Sequence, residues 1–261
     1  MSNFIGHSDP ANAKGRKAVV IVDDVRVTYK VFASGKRVND SNARIRQKGN
    51  IREVQALRGI SLIAYEGDTI GIIGANGSGK STLMSTIAGL TSIDSGAIWA
   101  SSRPSLLGVG AAMLRELSGE KNVVLGGLAL GLSMSEIKEK QDAIIDFSGL
   151  RDYIDLPMRT YSSGMVERLK FAIAAAREHD ILILDEALAV GDSDFRKRAE
   201  ARMRELAERA GSVFLVSHSM KSILDTCNRA IWLDQGEIKM DGAALDVCRA
   251  YSEAAGSPLD D

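Results

Sequence analysis

With 261 residues, 45% hydrophobic and 26% charged, the chain has an ordinary globular composition, enough for one large core or for one domain carrying a smaller one. No uncharged apolar run reaches the length of a membrane span, and Met1 to His7 lacks the charged-then-apolar pattern of a signal peptide, so a membrane role is expected to be peripheral. The only two cysteines, Cys227 and Cys248, stand in no metal-ligand spacing and read as buried thiols in a reducing compartment, by default the cytoplasm.

Residues 1–17 read as a polar, poorly ordered arm. Val19 to Val31 reads as strand, with alternation placing Val25, Val27, Tyr29 and Val31 on one face. The net charge of −1 hides an asymmetry, because residues 1–60 hold 12 Lys or Arg against 5 Asp or Glu. Between Lys36 and Arg52 six basic residues face only Asp40, in a stretch expected to form an insertion or long loop over 33–50. Such a run suits an anionic membrane surface or nucleic acid, or is a solvated loop. Its few aromatics argue against a base-stacking platform, and no nucleic-acid partner is expected. Ala56 to Ile63 and Thr69 to Ile73 read as further strands, separated by the acidic turn Glu66-Gly67-Asp68.

The apolar strand ending at Ile73 runs into Gly74-Ala75-Asn76-Gly77-Ser78-Gly79-Lys80-Ser81-Thr82, which has the spacing of a phosphate-binding P-loop. Glycines at 74, 77 and 79 let successive backbone N–H groups turn inward on a phosphate. Lys80 is placed to reach the terminal phosphates and Ser81 to offer its hydroxyl to Mg²⁺. The helix starting there, which stops near Gly89, points its positive end at the anion. A turn and short strand follow at Ile93 to Trp99.

From about Ala111 to Val166 the pattern becomes helical, with a capping box at Ser133-Met134-Ser135-Glu136 and a helix ending at Gly149. Beyond it, helix and strand alternate: helix 166–178, strand 181–184, helix 195–210 capped by Gly211, strand 212–216, helix 220–227, strand 230–234. Ile181-Leu182-Ile183-Leu184-Asp185-Glu186 reads as a buried parallel strand delivering two carboxylates to the edge where open α/β sheets bind ligands. Asp185 suits a magnesium ligand and Glu186 the polarisation of an attacking water. The strand at 213–217 ends in His218, at the same edge and within reach of a γ-phosphate.

These segments, with Tyr161-Ser162-Ser163-Gly164-Met165, Gly191-Asp192 and Ser217-His218 in order, resemble an ABC-transporter nucleotide-binding subunit over roughly residues 19 to 250. The Tyr-Ser-Ser-Gly-Met signature, the run Asp185 to Asp192, the stretch Ser105 to Ala111 and the end Gly242 to Tyr251 are similar to the subunits that power export of lipid-linked polysaccharides. O-antigen, teichoic acid and galactan exporters are of this type.

The resemblance implies an α/β P-loop NTPase fold with a RecA-like core sheet, an antiparallel β-subdomain and an α-helical subdomain at about 111–166, all within 18–250. It implies ATP and Mg²⁺, with Glu186 and His218 catalytic, Ser81 and Asp185 on the metal, and residues 74–82 on the phosphates. Ser162, Ser163 and Gly164 would serve the nucleotide of an opposite subunit, and Asp192 the subunit contact. Tyr29 would stack on adenine, its other reading being a core residue on a strand face. One copy of each motif implies a two-fold homodimer bound to an integral membrane subunit at the cytoplasmic face of a bacterial membrane. An ABC-type ATPase acting on nucleic acid or ribosomes is the competing reading, and the single motif set argues against it. One departure stands out: no Gln occurs between Gln55 and Gln141, where the superfamily places one after the strand near Leu106. Residues 251–261 are too short and polar for a second core, so substrate choice is expected to rest with the membrane subunit and the lipid-linked end.

Overall fold

The structure is a computed structural model that describes residues 15–32, 45–48, 50–107, 113–185, 192–217 and 219–256, without the side chains of 45–48. It divides into two compact units, residues 1–104 with 211–261 and residues 105–210.

The first unit holds an antiparallel sheet in the order β2-β3-β1-β5, from β1 (Ala18–Phe32), β2 (Ile45–Lys48), β3 (Ile51–Tyr65) and β5 (Ser95–Ala100). In β1 the buried positions change phase, from Val20 and Val22 to Val25 and Val27. A shift in the β1–β3 register between Val22 and Val25, with Asp24 at φ 43°, absorbs the extra residue and keeps all four valines inward. The face expected to continue through Tyr29 and Val31 loses its cover there, leaving them 42% and 48% exposed. Part of the stretch expected as a loop over 33–50 is strand: β2 pairs with the first four residues of β3, Lys48 opposite Ile51.

Beside this lies a second set of strands in the order β10-β9-β4-β8. β4 (Thr69–Ile73) pairs in parallel with both β8 (Ser212–Val216) and β9 (Arg229–Asp234), which buries it on both sides and explains its continuous apolar run. β10 (Glu237–Ala243) turns back antiparallel on β9 through Gln235 and Gly236, both at positive φ (48° and 81°), as a two-residue hairpin turn requires. The helices are α1 (Lys80–Ile87), α6 (Met220–Thr226) and α7 (Ala244–Ala255). β10 and α7 are absent from the elements read in the sequence, and α7 runs through Tyr251 into the segment read as a tail. Cys227 and Cys248 are buried free thiols packed with Ile73, Ile223, Trp232 and Val247. Asp68, expected in a turn, is a buried anion paired with Arg16 and with Arg229, which in turn holds Asp241 at 2.6 Å. Arg16 thereby ties down the end of the segment read as an arm; residues 1–14 lie outside the described residues.

The second unit comprises β6 (Ser105–Leu106), α2 (Gly119–Ala129), α3 (Met134–Ser148), α4 (Ser163–Ala174), β7 (Ile181–Asp185) and α5 (Ser193–Arg209). β6 and β7 pair in parallel, Ser105 opposite Leu182. The capping box at Ser133 and Glu136 is present in both directions, and Gly149 ends α3 at φ 66°. α2, α3 and α4 enclose a core of Val123, Ile144, Leu150, Leu169 and Ile173. The expected Gly211 cap on α5 is not formed: Ala210 leaves the helix in extended conformation (φ −72°, ψ 144°). In the first unit, Gly211 instead lends its carbonyl to the N–H of Gly67 at 2.6 Å.

Candidate nucleotide site

β4 delivers its C-terminal end, between two parallel neighbours, to the edge where open α/β sheets bind ligands. The loop that follows turns through Gly74 at φ 143°, Gly77 at 77° and Gly79 at 113°, all closed to most L side chains. At Gly74 a Cβ would lie 2.1 Å from the carbonyl oxygen of Leu233, and at Gly79 2.8 Å from that of Ala56. Glycine at 74 and 79 therefore lets the loop lie against β9 and β3, whereas Gly77 meets nothing within 4 Å and serves the turn alone. The Gln235–Gly236 turn clamps the loop from behind, Gly236 N–H donating to Ser78 O at 2.8 Å. Neither residue of this turn was among the expected site residues, although a Gly two residues after an apolar strand is a legible turn signal.

Ala75, Asn76 and Gly77 are exposed, and Lys80 is buried, only 7% exposed, with Nζ donating to Gly74 O at 2.7 Å and Ala75 O at 3.1 Å. α1 begins without a side-chain cap and without an acidic residue in its first turn. Its first N–H groups and the lysine therefore converge on the loop with no protein anion among the described residues of that turn. Ser78 Oγ is buried with no hydrogen-bond partner among the described residues, the kind of group a bound oxyanion or its water would satisfy. The residues fit a phosphate chain. Ser81 is exposed at the helix start, where a phosphate-bound Mg²⁺ would need a hydroxyl.

Tyr29 stands beside this helix, its hydroxyl 3.5 Å from Thr82 Oγ1, with a ring too exposed for the core reading. β8 runs parallel to β4, with Val216 opposite Ile72, so Ser217 leaves its strand at the same edge as the P-loop. His218 itself lies outside the described residues, as do Glu186 and residues 187–191.

In the second unit, Asp185 ends β7 half-buried behind four fully buried residues. Ser162 is exposed and N-caps α4, accepting the N–H of Met165 at 3.2 Å. A hydroxyl that accepts in this way keeps its own proton to donate, so the cap and a phosphate contact are compatible. Ser163 and Gly164 form the first turn behind it. Asp192 N-caps α5 by accepting the N–H of Phe195 at 2.9 Å, and that bond, aided by Arg168, holds its carboxyl below the usual range. Arg168 Nη1 reaches Asp192 Oδ2 at 3.3 Å. Nothing in the sequence pairs these two residues, which lie on different helices.

The ABC transporter family profile matches residues 57–189. The chain is 40% identical over 205 residues to the ABC transporter protein AbcA of Aeromonas salmonicida, covering 78% of this chain and 67% of that one. It is 42% identical over 210 residues to the O-antigen export system ATP-binding protein RfbB of Myxococcus xanthus, covering 80% and 48%. Against the teichoic acids export ATP-binding protein TagH of Lactococcus lactis it is 40% identical over 204 residues, covering 78% and 44%. The chain thus spans about half the length of the latter two. In fold it matches the ATP-binding subunit of an ABC transporter (TM-score 0.67, 22% identity, 93% of this chain and 96% of that one). It also matches the dimeric ATP-binding cassette MJ0796 bound to ADP and Pi (TM-score 0.63, 19% identity, 86% and 98%). With the P-loop built as described and this family match over half of its length, the chain belongs to the ABC transporter family and has the fold of its ATP-binding cassette.

Proposed function

We propose that the protein is the ATP-hydrolysing subunit of a transporter that exports a lipid-linked polysaccharide through a separate membrane subunit, at the cytoplasmic face of a bacterial membrane. The observation that carries this reading is a complete phosphate cradle in a chain whose 40% and 42% identical relatives are named for teichoic acid and O-antigen export. Among the described residues no helix is long and apolar enough to cross a membrane, in keeping with a separate membrane subunit.

The backbone N–H groups of residues 75–81 and Lys80 bind the β- and γ-phosphates and hold the terminal one in line for attack. Ser81 and Asp185 are the residues that would hold Mg²⁺, which supplies charge neutralisation across the phosphates when bound. Glu186 orients the attacking water and accepts its proton, His218 donates to the γ-phosphate, and Tyr29 packs on adenine. Ser162 and the N-terminus of α4 serve the γ-phosphate held by a second copy of the chain, which makes the working unit a homodimer with Asp192 at its contact.

The test is purification from host membranes followed by reconstitution. An integral membrane subunit should accompany the chain, and ATP should drive lipid-linked glycan into sealed vesicles only when Lys80 is intact. Co-purification with ribosomes or RNA instead, without a membrane subunit, would overturn the export reading.

A further inference from the structure

The turn between β9 and β10 meets the phosphate loop on one side and β3 on the other. At 236 a Cβ would lie 2.6 Å from the carbonyl oxygen of Ala56, the same oxygen that a Cβ at 79 would meet at 2.8 Å. One carbonyl of β3 is thus wedged between two glycines, Gly79 of the loop and Gly236 of the turn, and neither position has room for a side chain. A glycine that only reverses the chain has no such neighbours: Gly67, at a φ of 84° against 81° for Gly236, would meet nothing within 4 Å.

Both backbone polar groups of Gly236 are used. Its N–H donates to Ser78 O and its carbonyl accepts the N–H of Arg58, each at 2.8 Å. Gly236 is buried, so water does not compete for these bonds. The Arg58 side chain adds a pair with exposed Glu237 at 3.3 Å, a weak tie beside the two backbone bonds. Four residues before Arg58, Val54 stands opposite Tyr29, so the strand that holds the turn also pairs with the strand carrying the ring beside α1. Reversing β9 into β10 requires the positive φ and neither of these bonds, so they serve the loop.

We propose that Gly236 is a positioning residue for phosphate binding: it fixes Ser78 O, and with it the N–H groups of the loop, at the distance from β3 at which they converge on a phosphate. It touches no substrate and acts through the loop. Because the hydrogen-bond chain begins on β3, the same residue ties the sheet that bears Tyr29 to the phosphate side of the site. The proposal rests on the reading of residues 74–82 as an ATP site.

The experiment combines amide hydrogen exchange and calorimetry on the full chain, with ATP and with inorganic triphosphate, which has no base. Both ligands should bind the wild type and slow exchange at residues 235–238 as well as in the loop, since a contact that favours binding is favoured by binding in return. Gly236→Ala should weaken both ligands by the same factor, about tenfold. Gly67→Ala should lower the melting temperature through its φ alone and leave both affinities unchanged. Exchange at 235–238 untouched by either ligand, in a wild type that binds them, would overturn the proposal while leaving the ATP site standing, and this holds even where Gly236→Ala does not fold. Normal binding by folded Gly236→Ala, an equal loss in Gly67→Ala, or a loss for ATP alone would overturn it too. A wild type that binds neither ligand would overturn the ATP site itself and the proposal with it.

Discussion

Arg168 on α4 holds Asp192, the N-cap of α5, at 3.3 Å, so the helix that begins at Ser162 and the helix that begins at Asp192 are tied to each other. Neither residue belongs to the phosphate loop. Arg168→Ala should therefore leave ATP affinity unchanged while lowering turnover, and Arg168→Lys should restore part of the loss. A single pair with one exposed partner, Asp192, is modest in strength, so the expected fall in kcat is about two- to fivefold. Nucleotide titration beside steady-state hydrolysis separates the two effects; a loss of affinity equal to the loss of turnover would show that the pair acts otherwise.

Two glycines of the P-loop should respond differently to the same change. Gly74→Ala places a Cβ 2.1 Å from Leu233 O at a φ of 143°, which forces β9 or the loop to move. Gly77→Ala meets no atom within 4 Å and suffers only from its φ of 77°. The second change should cost about 1 kcal/mol, the first clearly more than about 2 kcal/mol. Chemical denaturation of both variants measures this, and equal losses would mean that the loop does not lie against Leu233.

Tyr29→Ala should weaken ATP binding by about fivefold or more through loss of ring stacking, whereas Tyr29→Phe should bind nearly as wild type, its 3.5 Å contact with Thr82 being marginal. Competition with an ATP analogue lacking the base is the check. If the base-free analogue loses as much affinity as ATP on Tyr29→Ala, the ring does not meet the base.

Burial, with a smaller contribution from Cys248, pushes the Cys227 thiol from 9.0 up to about 12. The folded protein thus holds a proton that the unfolded chain releases. Stability from this group is complete below pH 9.0 and lost as pH rises towards about 12. Denaturation midpoints should fall over that window more steeply in the wild type than in Cys227→Ala, and the native protein should resist thiol reagents at pH 8. Rapid labelling of Cys227 without unfolding would contradict the buried placement.

Much of this was legible because local chemistry and global fold agree. The P-loop, β4, the capping box of α3 and the buried strand β7 each carry a signal within a few residues. What the sequence hid was relational. The phase change in β1 depends on a bulge facing β3, and the clamp on Ser78 comes from Gly236, distant in the chain. Asp68 looks like a turn residue until Arg229 and Arg16 are seen around it. Gly211 met the rule for a helix cap, but its carbonyl is used by Gly67 and Ala210 leaves the helix extended. β2 was hidden by its charges, since half of its four residues are basic and a two-residue alternation over so short a span resembles a solvated loop. Glu186, His218 and Gly108 to Ala112, where the family's Gln is missing, lie outside the described residues, and their roles rest on the resemblance.

The central claim is that two copies close on ATP, each lending Ser162 to the phosphate held by the other. If Glu186 orients the attacking water as proposed, Glu186→Gln should cut turnover strongly with little effect on ATP affinity. The decisive measurement is light scattering of Glu186→Gln protein with ATP and Mg²⁺. The account predicts a shift to dimer that disappears when Lys80→Ala or Ser162→Arg is added. Loss of the Ser162 cap alone costs about 1 kcal/mol, so a thermal melt of the double variant must show it still folded. A monomer in the first sample, or a dimer that persists with folded Ser162→Arg, would contradict the composite site.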